Sequence, residues 1–372
     1  DINSIEDWQA IDPSSNENYR LNTDLDFSSI QEINHNLIIN RLEATGEGHK
    51  ISNITIQNVD YWHLFEKINA SLTNVTFENI TLEDTGDINS HKVYSGTGKY
   101  AIGYLIDNAE VKDLTFNNIK LTARSNNLAI FSQVSQSNFQ NMSLNDIEVN
   151  GASYTSGFIA RIMSSTLDSV IANYLNISST SSSSYTGGLI ATFVSETSSI
   201  APNNIKLSHI EVFGTYYVGG FAGSANANNV IIDDATISGV NWVSGISASS
   251  FDIDITNNVV KNSHIMGSGS YISGLSSQGW RATNFTIVDS IIEATSVNSQ
   301  FVGGIFAINN RDIYGSSVIR TQVLSKGDYV GGIIGNSNYS NGASTEKGVY
   351  NSVVLDSTIT GNNYVGGIAG YN

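Results

Sequence analysis

Four segments of the chain share one alternation of apolar and polar positions. The apolar residues are Val75, Phe77, Ile80 and Leu82; Leu114, Phe116, Ile119 and Leu121; Met142, Leu144, Ile147 and Val149; and Ile205, Leu207, Ile210 and Val212. Apolar residues two positions apart mark a strand with one buried face. The two-residue interruption inside each segment breaks that phase, so each segment reads as two short strands joined at a bend. A second pattern recurs between such segments. An aromatic residue at 154, 185, 217, 242, 271, 301, 329 and 364 is followed three positions later by Gly, and successive copies lie 25 to 35 residues apart. Fainter copies begin at Tyr100 and around Trp62.

A unit of this size, built of strands this short, cannot bury its own apolar face and must stack on copies of itself. The pattern predicts an all-β chain, a right-handed parallel β-helix of about ten rungs over residues 45–372, roughly 50 Å long at ~4.8 Å per rung. The hand follows the usual preference of parallel crossovers. An α-helical repeat is excluded, because no apolar stripe at helical spacing has useful length. Residues 1–44 are expected to form an N-terminal cap. Ser4–Ile11 reads as a short helix with Ser4 as N-cap and an acidic first turn, and Tyr19–Phe27 alternates like a strand. The last copy opens at Tyr364 with no polar cap after it, as expected of a chain truncated C-terminally from a longer protein.

Composition sharpens this picture. Among 372 residues there are 33 Gly, 2 Pro and no Cys, and only 14% are charged. Interior rungs need every backbone N–H for their neighbours, which disfavours Pro, while Gly, Asn and Ser suit corners. The absence of Cys removes disulfide scaffolds and thiol chemistry. A net charge of −17 without any run of Lys or Arg argues against nucleic acid, and no stretch approaches 18 apolar residues, so no membrane insertion is expected.

The aromatic-Val-Gly-Gly-Ile-x-Gly signature, seen at Tyr217, Tyr329 and Tyr364 in its fullest forms, resembles the GLUG motif of bacterial surface and secreted proteins. Trp8-Gln-Ala-Ile, Tyr19 to Phe27, Gly46 to Ile56 and Leu64-Phe-Glu-Lys-Ile follow in an order similar to the N-terminal solenoid of streptococcal zinc metallopeptidases that cleave immunoglobulin A. It is also similar to the pectate-lyase-like binding regions of serine-rich repeat adhesins of lactobacilli. The resemblance spans nearly the whole chain and implies a β-solenoid and a bacterial cell-surface location, with wall anchoring through a region outside this sequence. The peptidase's His-Glu-x-x-His is missing, since none of the six His has that context.

No nucleophile elbow, phosphate loop or dinucleotide fingerprint is present. Asp233-Asp234 is the acidic pair to test for calcium in a polysaccharide lyase, yet its rung position is the bend, where a solvated corner suffices. The aromatic column reads either as a corner stack holding rungs in register or, if solvent-facing, as a platform for sugars. Seven residues after the second signature Gly stand Arg281, Arg311 and Tyr339 in successive rungs, with Trp280 and Asp312 beside them. Equal offsets on adjacent rungs lie side by side, so guanidinium groups and aromatics would form a strip able to pair with acidic groups and stack on sugar rings. The plain alternative is unrelated residues on loops of unequal length. Lys261 and Arg320 fall near apolar slots of their rungs and are secondary candidates. Asn53, Asn74, Asn141 and Asn284 match the glycosylation acceptor pattern, which an Asn/Ser/Thr-rich coil generates unaided.

These readings lead to an expected function: the non-catalytic ligand-binding region of a bacterial adhesin, monomeric, extracellular, without cofactor or metal. The expected partner is acidic polysaccharide or mucin-type glycoprotein, bound more strongly near pH 4 to 5, where the protein's carboxylates begin to protonate. A polysaccharide lyase or hydrolase and an accessory solenoid of a secreted metallopeptidase are the rivals.

Overall fold

The computed structural model describes residues 1–59, 61–84, 100–124, 126–182, 184–194, 202–249, 254–279, 281–309, 311–337 and 348–371. Every strand pairing among them is parallel, and strands inside a ladder pair with their equivalents one coil earlier and one coil later. The chain is a parallel β-solenoid of about ten turns, as the repeat pattern predicts. One ladder of nine strands runs from Asn126–Leu128 to Val365–Gly366; its last eight strands lie in the aromatic signatures.

The apolar positions named above point inward. In the strand Asn138–Gly151, Met142, Leu144, Ile147 and Val149 are buried. Of the two residues between Leu144 and Ile147, one, Asp146, adopts the left-handed conformation at φ 55°. That single twist turns two successive side chains outward before burial resumes. It recurs on every coil. Asn53, Asn79, Asn118, Asp146, Tyr174, His209, Asp234, Asn262, Asp289, Arg320 and Asp356 occupy this corner in register, all at positive φ. Asn and Asp tolerate this conformation better than other side-chain-bearing residues, which accounts for the Asn content.

The corner side chains also bond to one another. Asn79 donates to Asn53 at 3.0 Å and accepts from Asn118 at 2.9 Å; in the next column out, Asn145 donates to Asn117 and Asn173 to Asn145. The four glycosylation-like Asn are explained in the same way. Each is a left-handed corner residue followed by a buried apolar residue and an outward Ser or Thr.

The core runs as one cluster from Ile2 to Ile334, with Phe77 and Phe116 stacked across coils at 5.3 Å. At the N-terminus the helix Ile5–Gln9 starts at Ser4, whose hydroxyl accepts from the Asp7 N–H at 3.2 Å. Its buried Trp8 packs edge-on to Phe27 and Phe65. The strand Asn18–Leu21 pairs in parallel with Leu37–Ala44, so the ladder is already running there.

Candidate functional site

Arg281 opens the strand Arg281–Thr283 and is half-buried on one edge of the solenoid. Its partner on the next coil is Asp312, not Arg311: Gly279 aligns with Asn309, but Ala282 aligns with Ile313, so one extra residue enters between them. Equal counting from the signature therefore slips by one, and the two guanidinium groups are not register neighbours. Trp280 and Tyr339 lie outside the described residues.

The shift brings a different group together. Two positions on, Thr283, Tyr314 and Tyr350 share one register line. The Tyr314 and Tyr350 rings stack at 4.9 Å and 15°, and they are 36% and 43% exposed, enough for a ligand to reach them. Asp312 ties this edge together, accepting from the Tyr314 hydroxyl at 3.2 Å and from the Gly348 N–H at 3.0 Å. Desolvation, with the Asp312 carboxylate next, holds the Tyr314 phenol above its ordinary value, and the nearby positive charge of Arg281 pulls the other way. The Arg311 carbonyl accepts from the Asn309 amide at 2.6 Å.

The secondary candidates are engaged in pairs between adjacent coils. Arg320 holds Asp289 through two hydrogen bonds, and Lys261 pairs with Asp233 at 2.8 Å. Neither charge is buried: both sit at the corner, where the left-handed residue displaces the apolar phase. Of the acidic pair, Asp233 faces Lys261 and Asn262, and Asp234 faces His209 at 2.7 Å. Lys261 chiefly holds the Asp233 carboxyl below its usual range. Among the described residues no group of three His, Asp or Glu side chains is arranged to hold a metal ion.

The signature aromatics form a continuous column. Tyr154, Tyr185, Tyr217, Trp242, Tyr271, Phe301, Tyr329 and Tyr364 follow one another at 4.0 to 5.6 Å, stacked face to face at 2° to 28° except for the tilted Tyr271–Phe301 pair at 32°. All but Tyr185 have positive φ, so this too is a corner. Each interior ring spends both faces on its neighbours and offers solvent only an edge. A sugar cannot lie flat on such a stack, and the column serves register.

One polar cluster escaped sequence reasoning. The His63 side chain is fully buried, stacked on Tyr104 at 4.8 Å and edge-on to Tyr61 at 4.2 Å. Its Nδ1 lies 3.2 Å from Glu66 Oε2, which also accepts from the Tyr61 hydroxyl at 2.5 Å. The His63 hydrogen bond holds the Glu66 carboxyl below its usual range, and desolvation pushes the Tyr61 phenol far up. A phenol so hard to ionise is a poor proton source, and the arrangement fastens adjacent coils. Its only sequence signal is the spacing of Tyr61, His63 and Glu66.

No family model and no curated protein matches this chain. Among solved structures, it is similar to a candidate immunoglobulin A1 protease from Bacteroides ovatus, with 14% identity and a TM-score of 0.33 over 95% of this chain and 81% of that one. It is also similar to the Dettilon tailspike protein, with 10% identity and a TM-score of 0.29 over 91% of this chain and 60% of that one.

Proposed function

We propose that this chain is the non-catalytic ligand-binding region of a bacterial cell-surface adhesin, binding acidic polysaccharide or mucin-type glycoprotein as a monomer. The contact is the edge carrying Arg281, Tyr314 and Tyr350. The observation that carries this reading is the exposed Tyr314–Tyr350 stack within the field of Arg281. A guanidinium group matches a carboxylate or sulfate, and aromatic side chains provide apolar contact for a sugar ring. The surface location and the wall anchor come from the resemblance of the repeats to adhesin binding regions.

With a net charge of −17, the protein repels an acidic polymer at neutral pH, and the repulsion fades as carboxylates protonate. Titrations of polygalacturonate and mucin from pH 7 to pH 4 test the reading. Affinity is expected to rise as pH falls, and Arg281→Gln or Tyr350→Ala is expected to lower it by about tenfold, the equivalent of ~1.4 kcal/mol. A flat or inverted pH profile, or variants with parental affinity, rejects it.

A further inference from the structure

The corner column follows a rule with three exceptions. Where other coils place Asn or Asp in the left-handed conformation, Tyr174, His209 and Arg320 stand at φ 56°, 53° and 45°. For a bulky residue this is a strained backbone, and such strain gathers where a side chain is needed for something else. Arg320 is accounted for by its grip on Asp289, and His209 bonds to the corner carboxylate of Asp234 at 2.7 Å, whereas Tyr174 forms no side-chain hydrogen bond among the described residues. Tyr174 and His209 are adjacent exceptions, stacked at 4.8 Å and 12°. Tyr174 is 58% exposed, and the coil before it has Asp146 at this corner, which has no ring to cover its other face.

The two rings form a ridge between two hollows. On one side a groove of about 510 Å³ has Ile171 and Lys206, register partners on adjacent coils, in its wall. Ile171 is 53% exposed, and Lys206 is exposed and forms no ion pair among the described residues. On the other side a hollow of about 330 Å³ is lined by Tyr174, His209, Glu211 and Asp234. The groove also holds Asp113, three coils away from Lys206 and tied to Asn141 at 2.9 Å, so the flanks differ in the charge set beside the ridge itself: the Lys206 ammonium on one side, the Glu211 and Asp234 carboxylates on the other.

We infer that this ridge is a second saccharide site, for an oligosaccharide in which a carboxylated sugar is followed by a neutral one. The carboxylate lies toward Lys206, and a sugar's apolar face covers the open face of Tyr174. The neutral neighbour passes over His209 toward Glu211 and Asp234, where a second negative charge would be repelled. Only the class of ligand is shared with the proposed function; the site uses none of the residues of the Arg281 edge.

The test uses a hyaluronan oligosaccharide, in which carboxylated and neutral sugars alternate, beside an oligogalacturonate, in which every sugar is charged. Affinity for each is measured by calorimetry for the parent, Tyr174→Asn, Lys206→Gln and Arg281→Gln. Asn relieves the corner strain, so Tyr174→Asn is expected to keep or raise the melting temperature while weakening the alternating ligand at least tenfold. Lys206→Gln weakens it similarly, whereas Arg281→Gln weakens oligogalacturonate more than the alternating ligand. Loss of hyaluronan binding in Arg281→Gln but not in Tyr174→Asn, or no hyaluronan binding by the parent, overturns the inference. A lowered melting temperature for Tyr174→Asn overturns it as well, since the stack would then serve the fold. If the Arg281 edge alone fails, Arg281→Gln keeps parental affinity for oligogalacturonate while the Tyr174→Asn and Lys206→Gln losses stand.

Discussion

Arg320, at the corner of one coil, holds Asp289, at the corner of the coil before it, through hydrogen bonds of 2.6 and 2.7 Å to the two carboxylate oxygens. The bidentate grip raises the guanidinium's hold on its proton and keeps the Asp289 carboxyl below its usual range. A cation committed in this way is a poor partner for an outside anion. Arg320→Asn, which places a residue suited to the left-handed corner, is therefore expected to leave polygalacturonate affinity within twofold of the parent. A tenfold loss in the same titration would return Arg320 to the binding surface.

Acid should loosen the coil at identifiable carboxylates. Glu66, held down chiefly by His63, and Asp233, held down chiefly by Lys261, both have lowered values in the folded state. A group lowered on folding contributes stability above its unfolded value, and that contribution fades as pH falls through the folded one. Melting temperatures are expected to hold steady from pH 7 to about pH 5 and to fall below roughly pH 4, the range where ordinary carboxylates titrate. Glu66→Gln lowers the neutral plateau and flattens the acid limb. An acid limb as steep in Glu66→Gln as in the parent would mean that other groups govern it.

The strands, bends and ladders were legible because each depends on a local rule that the repeat states many times over. Met142, Leu144, Ile147 and Val149 alternate because one face is buried, and Asp146 breaks the phase because its backbone is left-handed. The aromatic column was legible as a column, but not its cost: nothing in the alternation of residues signals that Trp242 or Tyr329 adopts positive φ. The Arg281 edge was not legible in its detail. Residue counting sets Arg281 beside Arg311, but the extra residue before Ile313 gives it Asp312 as neighbour instead. Such a slip is invisible to a spacing argument, because loop insertions do not change the signature. The buried His63 cluster joins residues from separate coils and has no repeat to announce it.

The corner ladder predicts an unusual ranking of substitutions. Asn79 combines a left-handed backbone with two side-chain hydrogen bonds along the ladder. Asn79→Ala loses those bonds, at ~1 kcal/mol each net, and forces Ala into a conformation costing roughly 1–2 kcal/mol. Asn79→Gly loses the bonds alone. Urea denaturation should therefore rank the parent above Gly and Gly above Ala, and Ala equal to or better than Gly would show that the corner conformation is not under strain.

The second signature glycine is required by close approach between coils. A Cβ on Gly304 would strike the carbonyl of Gly332, a backbone atom that cannot step aside, whereas a Cβ on Gly367 meets open space. Gly304→Ala is expected to destabilise by at least ~1–3 kcal/mol, the usual range for overpacking. Gly367→Ala is expected to match the parent in denaturant midpoint. Equal losses at both positions would point to backbone conformation rather than coil contact as the reason for the glycine.

Trp242 and Tyr174 are both aromatic residues in a left-handed corner, and the same substitution should move them in opposite directions. Trp242 is stacked on both sides, at 5.6 Å from Tyr217 and 4.0 Å from Tyr271. Replacing it with Asn relieves roughly 1–2 kcal/mol of backbone strain. It also removes two ring contacts worth ~0.5–1.5 kcal/mol each beyond their burial, and the burial of an indole face at ~25 cal/mol per Å² adds about 2 kcal/mol more. The stack outweighs the strain, so Trp242→Asn should lower stability by about 2 kcal/mol while Trp242→Tyr stays near the parent. Tyr174 has one stacked neighbour and an open face, so there the strain is expected to weigh more. Denaturation of the two Asn variants side by side reads this out directly, and a Trp242→Asn protein more stable than the parent would remove the stacking argument for the whole column.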